Sequence, residues 1–227
     1  MIQRVVCFDL DDTLYKEIDF LKSGYRKVSD LVAKRYGFDA LEVYARLLTW
    51  YHQSKNPFET LNETYGIDNP ISDYLNVYRY HQPSLLLSSE VRSVLTSLKE
   101  QGVLMGIISD GRVETQKNKI EALGLSEWIA PDLVLINEDK RYFKPNRWSF
   151  DRFMLKCFEK NVEADSVFYY VGDNTEKDFL APNQMGWETI CLKDDGRNIH
   201  KQSFEMGEEY MPQHTINNFV ELIDIIR

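Results

Sequence analysis

Near its amino end the chain carries a short, β-branched apolar run, Val5 to Leu10 (VVCFDL), that stops abruptly in acids. A strand covered on both faces, central in a parallel sheet, reads this way. Leu21, Tyr25, Val28 and Val32 then recur at helical spacing. Asp39 and Glu42 suit a capping box ahead of a second helical stripe, Leu41, Tyr44, Leu48 and Tyr51. Two shorter helices are expected after Pro57 and Pro70, and no strand pattern occurs between residues 16 and 83. After Pro83 helix and strand alternate. Val91, Val94, Leu95 and Leu98 predict a helix stopped by Gly102, and Val103 to Ile108 (VLMGII) a second buried strand. Val113 to Leu123 reads as the next helix and Leu133 to Ile136 (LVLI) as a third strand. A helix over Trp148 to Phe158 precedes a fourth strand, Val167 to Val171 (VFYYV). A short helix, kinked or cut by Pro182, leads to Glu188 to Leu192 (ETICL). Lys193 to His214 is polar and reads as a loop, and Ile216 to Ile226 as a terminal helix. Such alternation predicts an α/β fold: an open parallel sheet with helices on both faces, built from residues 1–15 and 84–227 and interrupted by an all-helical insertion over 16–83.

Charge supports the same division. The chain has 227 residues and a net charge of −9, from 27 basic and 36 acidic residues. Between Lys16 and Arg79 nine bases balance nine acids, so the excess of acid lies wholly outside the insertion. Residues 16–83 also hold 12 of the 29 aromatic residues, which a small helical subdomain needs for its own core. An acidic balance argues against nucleic acid as a partner. No apolar run approaches the ~20 residues of a membrane span and the start of the chain has no basic leader, so a cytoplasmic protein without a membrane partner is expected. Cys7, Cys157 and Cys191 lie far apart in apolar stretches, as reduced core thiols do.

In an open parallel sheet, ligands bind at the carboxyl ends of the strands. The first strand runs into Asp9, Leu10, Asp11, Asp12 and Thr13, and alternation places Asp9 and Asp11 on one side of the chain. Two carboxylates at one tip repel each other, so they take up a proton or recruit a cation. Hard oxygen donors with little histidine nearby suit Mg²⁺. The fourth strand ends in Gly172, Asp173 and Asn174 and continues to Asp178, which brings further carboxylates to the same edge. Ser109, ending the second strand, offers a hydroxyl to a phosphate oxygen, and Lys144, after the third, offers one cation. Asp12 reads as a surface charge, and Lys16, Lys22, Arg26 and Lys27 as a solvated helix face.

With DLDDT at 9–13, IISDG at 107–111, KP at 144–145, VGDNTEKD at 171–178 and DFLAPNQMGW at 178–187, the sequence resembles the haloacid dehalogenase-like (HAD) hydrolase superfamily over nearly its whole length. The resemblance implies a Rossmann-like core and, from the place of the insertion, a helical cap. It implies a Mg²⁺-dependent phosphatase in which Asp9 is the nucleophile that becomes an aspartyl-phosphate and Asp11 is the general acid and base. Mg²⁺ would be held by Asp9, the backbone carbonyl of Asp11, and Asp173, with Asp178 behind them. Thr13, Ser109 and Lys144 would bind the phosphoryl group. Dehalogenases of this superfamily carry a residue other than Asp two places after the nucleophile, so Asp11 points to phosphoryl chemistry. Ser109-Asp110-Gly111 followed by Gln116 and Lys119 is similar to the cytoplasmic sugar-phosphate and nucleotide phosphatases of the class. The implied partner is a small phosphorylated metabolite, with the chain a monomer or homodimer. Two rival readings use the same residues: a phosphotransferase or mutase on this scaffold, and a receiver-like phosphoacceptor, which has no need of so large an insertion.

Overall fold

The computed structural model describes residues 3–226. The chain divides into two compact units, one made of the stretch up to Glu17 together with Leu86 onward, the other of Ile18–Leu85. The insertion thus begins and ends slightly later than the boundary at 16–83 that charge and pattern mark.

The larger unit is built on six strands: β1 (Arg4–Phe8), β2 (Leu104–Asp110), β3 (Val134–Asn137), β4 (Val167–Gly172), β5 (Glu188–Leu192) and β6 (His214–Ile216). They lie in the order β3-β2-β1-β4-β5-β6 and every pairing is parallel. The chain winds outward from β1 to β3, crosses back and winds outward again from β4. Its topological switch therefore falls between β1 and β4.

Helices cover both faces. They are α5 (Ser89–Glu100), α6 (Val113–Ala122), α7 (Trp148–Glu159), α8 (Leu180–Gln184) and α9 (Leu222–Ile225), after the four helices of the smaller unit. Cys7 pairs in register with Gly106 and Tyr170, so these three share one face. On that face sits α7: Phe150 meets the Tyr170 ring edge-on at 5.0 Å, and a Cβ on Gly106 would stand 2.1 Å from Phe153. Glycine at 106 is what lets the Phe153 ring lie on the sheet. Phe8 faces the other way and stacks on Phe219, next to α5 and α9.

Two elements depart from the sequence expectation. The sixth strand has only one buried side chain, Ile216, and so leaves no apolar run to detect; its pairing with β5 creates it. The terminal helix expected over 216–226 begins instead at Asn218, whose capping box with Glu221 starts a 3-10 turn, Phe219–Glu221, ahead of α9. Pro182 lies in α8, which is five residues long.

The smaller unit is helical throughout: α1 (Glu17–Tyr36), α2 (Ala40–His52), α3 (Pro57–Tyr65) and α4 (Ile71–Tyr80). Asp39 accepts from the Glu42 amide at 2.7 Å to start α2, and Asn56 caps α3 ahead of Pro57. Tyr25, Phe58, Tyr74 and Tyr78 meet ring to ring at 5.6–6.2 Å, so part of the aromatic richness of the insertion forms its core, while Tyr36 and Tyr80 are exposed. Among the described residues no helix is long and apolar enough to cross a membrane. The three cysteines are free and buried.

Candidate active site

Asp9 stands one residue past β1, and its amide still donates to the Val171 carbonyl of β4 at 2.8 Å. The β1 and β4 ends are thereby held side by side, and with them Asp9 and Asp173. One carboxylate oxygen from each of Asp9, Asp173 and Asp178 lies within 4.8 Å of the others, and all three residues are buried. Lys144 fills the floor of this cluster. Its ammonium is fully buried and donates to Asp9 Oδ1 at 2.6 Å, Asp178 Oδ1 at 2.7 Å and the Tyr170 hydroxyl at 2.8 Å, which uses all three of its protons. The loop carrying Lys144 is tied down by Asp110, which accepts from the Lys144 amide at 2.9 Å, and by Asn137, which bonds Asp110 and Ser149.

Asp178 is committed to this framework. Its Oδ2 accepts from the Asp173 and Asn174 amides at 3.2 and 2.9 Å, its Oδ1 from Lys144. That seat exists because residue 172 is glycine: an added Cβ would stand 2.6 Å from Asp178 Oδ2. Gly172→Ala is expected to push Asp178 off its three donors and to lower stability by about 1–3 kcal/mol, read by thermal or denaturant unfolding. An alanine variant as stable as wild type would contradict this placement.

The electrostatics follow from crowding. Burial, helped by the Asp178 charge and opposed by Lys144, raises the Asp9 carboxyl to about 6. Burial and the charges of Asp178, Asp9 and Asp12 raise Asp173 to about 9. Asp178 goes the other way: burial is outweighed by Lys144 and Lys177 and by its hydrogen bonds, so it stays below the ordinary carboxylate range. Asp9 and Asp173 are thus carboxylates short of counter-charge, and the donors they present are oxygens only. Such a set fits a hard divalent cation. Asp9 Oδ2 accepts no hydrogen bond among the described residues, and the Asp173 side chain is oriented by Asn198, whose amide donates to its Oδ2 at 2.9 Å.

Asp11 is not part of that cluster through its side chain. Its Oδ1 accepts from Lys119 at 2.7 Å and from the Tyr15 hydroxyl, and its Oδ2 from Gln116 at 2.8 Å. Burial opposes ionisation there, but the Lys119 charge and these hydrogen bonds outweigh it and hold the carboxyl low. Ser109 is buried at the end of β2 and accepts from Gln116 at 2.7 Å. It does not cap α6, whose N-cap is Arg112. Thr13 Oγ1 is buried with no hydrogen-bond partner among the described residues.

Three sequence expectations change. Asp12 is buried, not a surface charge: at φ 56° it turns inward to accept from the Glu17 and Ile199 amides at 2.8 and 3.0 Å. Lys16 is not solvated either; it bonds Asn198 at 2.6 Å and pairs with Asp195 at 3.4 Å. And the polar stretch after β5, read as a plain loop, brings Asn198 to Asp173 and Gln202 to the Asp173 carbonyl at 2.7 Å. Tyr170 and Asn198 are site residues that sequence reasoning missed. Tyr170 had a signal, a hydroxyl inside the apolar run VFYYV; Asn198 had none.

Comparison with known proteins gives the family. A family model described as haloacid dehalogenase-like hydrolase matches residues 6–192. A glyceraldehyde 3-phosphate phosphatase of Methanocaldococcus jannaschii is 25% identical over 231 residues, 98% of this chain and 96% of that protein. A ribulose-1,5-bisphosphate 5-phosphatase of Halopiger xanaduensis is 28% identical over 141 residues, 62% of this chain and 56% of that protein. Among solved structures, an HAD phosphatase of Thermococcus onnurineus superposes with a TM-score of 0.58 at 19% identity, covering 98% of this chain and 97% of its own. A 2-haloacid dehalogenase of Pseudomonas syringae superposes at 0.61 and 20% identity over 99% and 98% of the two chains. With more than half of its length matched by one family model, and with acids, hydroxyl and lysine gathered at the strand ends as described, this chain belongs to the haloacid dehalogenase-like hydrolase family.

Proposed function

We propose that this protein is a Mg²⁺-dependent phosphatase of small sugar-phosphate-type metabolites, working through an aspartyl-phosphate at Asp9. The observation that carries the reading is the setting of Asp9: one oxygen held by the Lys144 ammonium, the other free of hydrogen bonds, in a buried cluster shared with Asp173 and Asp178. A second carboxylate, Asp11, stands two residues on in a separate environment, held by Lys119, Tyr15 and Gln116. The two acids stand in separate surroundings, which suits divided labour, one as nucleophile and one for the proton.

In the first half-reaction Asp9 Oδ2 attacks phosphorus. The bond from phosphorus to the substrate oxygen breaks, the electron pair leaves with that oxygen, and Asp11 gives it a proton, forming the alcohol. In the second a water attacks phosphorus, Asp11 takes its proton, and the electron pair of the Asp9–phosphorus bond returns to Asp9, releasing inorganic phosphate. The proton that Asp11 gains in the second half is the one it spends in the first, so the cycle closes. Mg²⁺ bound by Asp9, Asp173 and the Asp11 carbonyl would screen the carboxylate from the phosphate dianion, which it otherwise repels. Lys144 keeps Asp9 Oδ1 out of the reaction, so a single oxygen faces the phosphoryl group. Ser109 donates its hydroxyl proton to a phosphoryl oxygen, and Thr13 gains there the partner its hydroxyl lacks. The helical unit Ile18–Leu85, inserted directly after the loop that carries these residues, serves as the cap that selects substrate.

The relatives named as phosphatases of glyceraldehyde 3-phosphate and ribulose 1,5-bisphosphate support sugar phosphates as the substrate class. The test is inorganic phosphate release over triose, pentose and hexose phosphates, nucleotides and phosphorylated acids, with Mg²⁺ and with chelator. Metal-dependent release that favours sugar phosphates is expected. A folded protein that releases none with Mg²⁺ present would contradict the reading.

Metal and pH are linked in a way that needs no substrate. Asp9, Asp12 and Asp173 all have carboxyls raised by burial and neighbouring charge, so over this range the folded state binds protons more tightly than the unfolded chain. Without metal, stability is expected to fall as pH rises from about 5 to about 9, because the folded state must then ionise crowded acids. Mg²⁺ supplies the missing counter-charge. The rise in melting temperature on adding Mg²⁺ should therefore grow with pH, and an increment that stays flat or shrinks would contradict the assigned cation site.

A further inference from the structure

α6 buries polar side chains where a packed helix ordinarily buries aliphatic ones. Its buried residues are Thr115, Gln116 and Lys119. An enclosed ammonium costs desolvation that a hydrophobic residue of similar volume would avoid, so this face is poorly explained by stability. Its contacts suggest another purpose. The Gln116 side chain reaches two groups from one nitrogen: Nε2 donates to Asp11 Oδ2 at 2.8 Å and to Ser109 Oγ at 2.7 Å. The orientation of the amide is fixed, because an ionised carboxylate only accepts and the carbonyl end would repel it.

Two consequences follow from counting donors and acceptors. Ser109 accepts from Gln116, so its single proton points away from the amide and is available to a phosphoryl oxygen. A carboxylate has about four acceptor positions. On Asp11, Lys119 and Tyr15 take the two of Oδ1, and Gln116 takes one of Oδ2. One position remains, on Oδ2, beside Ser109.

We infer that Gln116 is a positioning residue that fixes Oδ2 as the proton-handling atom of Asp11 and sets it in register with the phosphate-facing hydroxyl of Ser109, while Lys119 with Tyr15 immobilises the opposite oxygen. The inference rests on the phosphatase reading above and goes beyond it: the acid/base group and the phosphate donor are joined through one amide. Gln116 and Lys119 act through Asp11 and Ser109, not on the substrate itself.

The test separates proton delivery from general damage by the leaving group. An alkoxide needs a proton to depart and 4-nitrophenolate does not. For wild type, Gln116→Met and Asp11→Asn, kcat/KM is measured on the alkyl phosphate hydrolysed fastest in the panel and on 4-nitrophenyl phosphate, with melting temperatures as a check on folding. Gln116→Met should lose about 10-fold or more beyond its loss on the aryl ester when the alkyl ester is the substrate, a share of the selective loss in Asp11→Asn. Combined with Asp11→Asn, it should add no further alkyl-selective loss. Gln116→Asn, too short to bridge both partners, should behave as Gln116→Met does and serves if methionine impairs folding. Equal losses on both esters, or independent losses in the double variant, would overturn the inference. Should wild type release phosphate from neither ester, the phosphatase reading fails first and this inference falls with it.

Discussion

Asp9→Asn is expected to abolish turnover, with phosphate release falling by a factor on the order of 10⁴–10⁶, as happens when a covalent catalyst loses its nucleophile. The amide is nearly isosteric with the carboxylate, and its oxygen can still accept from Lys144, which bonds Asp9 Oδ1 at 2.6 Å. The fold should therefore survive. Indeed the metal-free variant should be at least as stable as wild type, because one charge leaves a cluster in which burial and Asp178 already raise the Asp9 carboxyl to about 6. The combination is diagnostic. Loss of activity with a melting temperature held or raised belongs to a nucleophile in a crowded acid site. Loss of activity with a large fall in melting temperature would instead make Asp9 a structural partner of Lys144. The assay is phosphate release alongside thermal unfolding, both in chelator and in Mg²⁺.

Lys144→Met should do the reverse and act first on stability. Its ammonium is fully buried and answers Asp9, Asp178 and Tyr170 together. Truncating one partner of a buried ion pair leaves the others desolvated and unanswered, at a cost of about 3–5 kcal/mol. Denaturant unfolding of the metal-free variant should report a loss of that size. Mg²⁺ should recover part of it, since a cation in the adjoining cluster again neutralises Asp9. Activity should still be low with Mg²⁺ bound, because Asp9 Oδ1 is no longer restrained. A variant with wild-type stability in chelator would contradict the assignment of Lys144 as the counter-charge of the site.

How much of this was written in the chain can be judged residue by residue. β1, β2, β4 and β5 were legible because their apolar runs are buried on both faces, and the half-buried β3 because its run is still wholly apolar up to Asn137; all five appear where the runs predict them. The sixth strand was not, since two of its three side chains are exposed and its conformation is supplied by β5. Asp9, Ser109, Lys144 and Asp173 could be collected from sequence because each follows or ends a predicted strand, and strand ends in a parallel sheet converge. Asp12 could not be read correctly: its burial depends on a backbone turn at positive φ and on amides from Glu17 and Ile199, the latter far along the chain. Asn198 is the extreme case. It sits in a polar stretch with no periodicity, and only the folded path of the loop after β5 carries it to Asp173. Gln116 and Lys119 fall between these limits. The family resemblance marked them, but what they hold became visible only when α6 and the loop after β1 came together.

In the proposed mechanism Asp9 carries the phosphoryl group during turnover. The most direct measurement is acid quenching of the protein during steady hydrolysis of its preferred substrate with Mg²⁺, followed by mass analysis of the peptide that contains residues 9–13. The account predicts a fraction of that peptide heavier by one phosphoryl group, with the modification on Asp9 and absent from Asp9→Asn. Active enzyme that never carries the modification there, or that carries it on another residue, would contradict it.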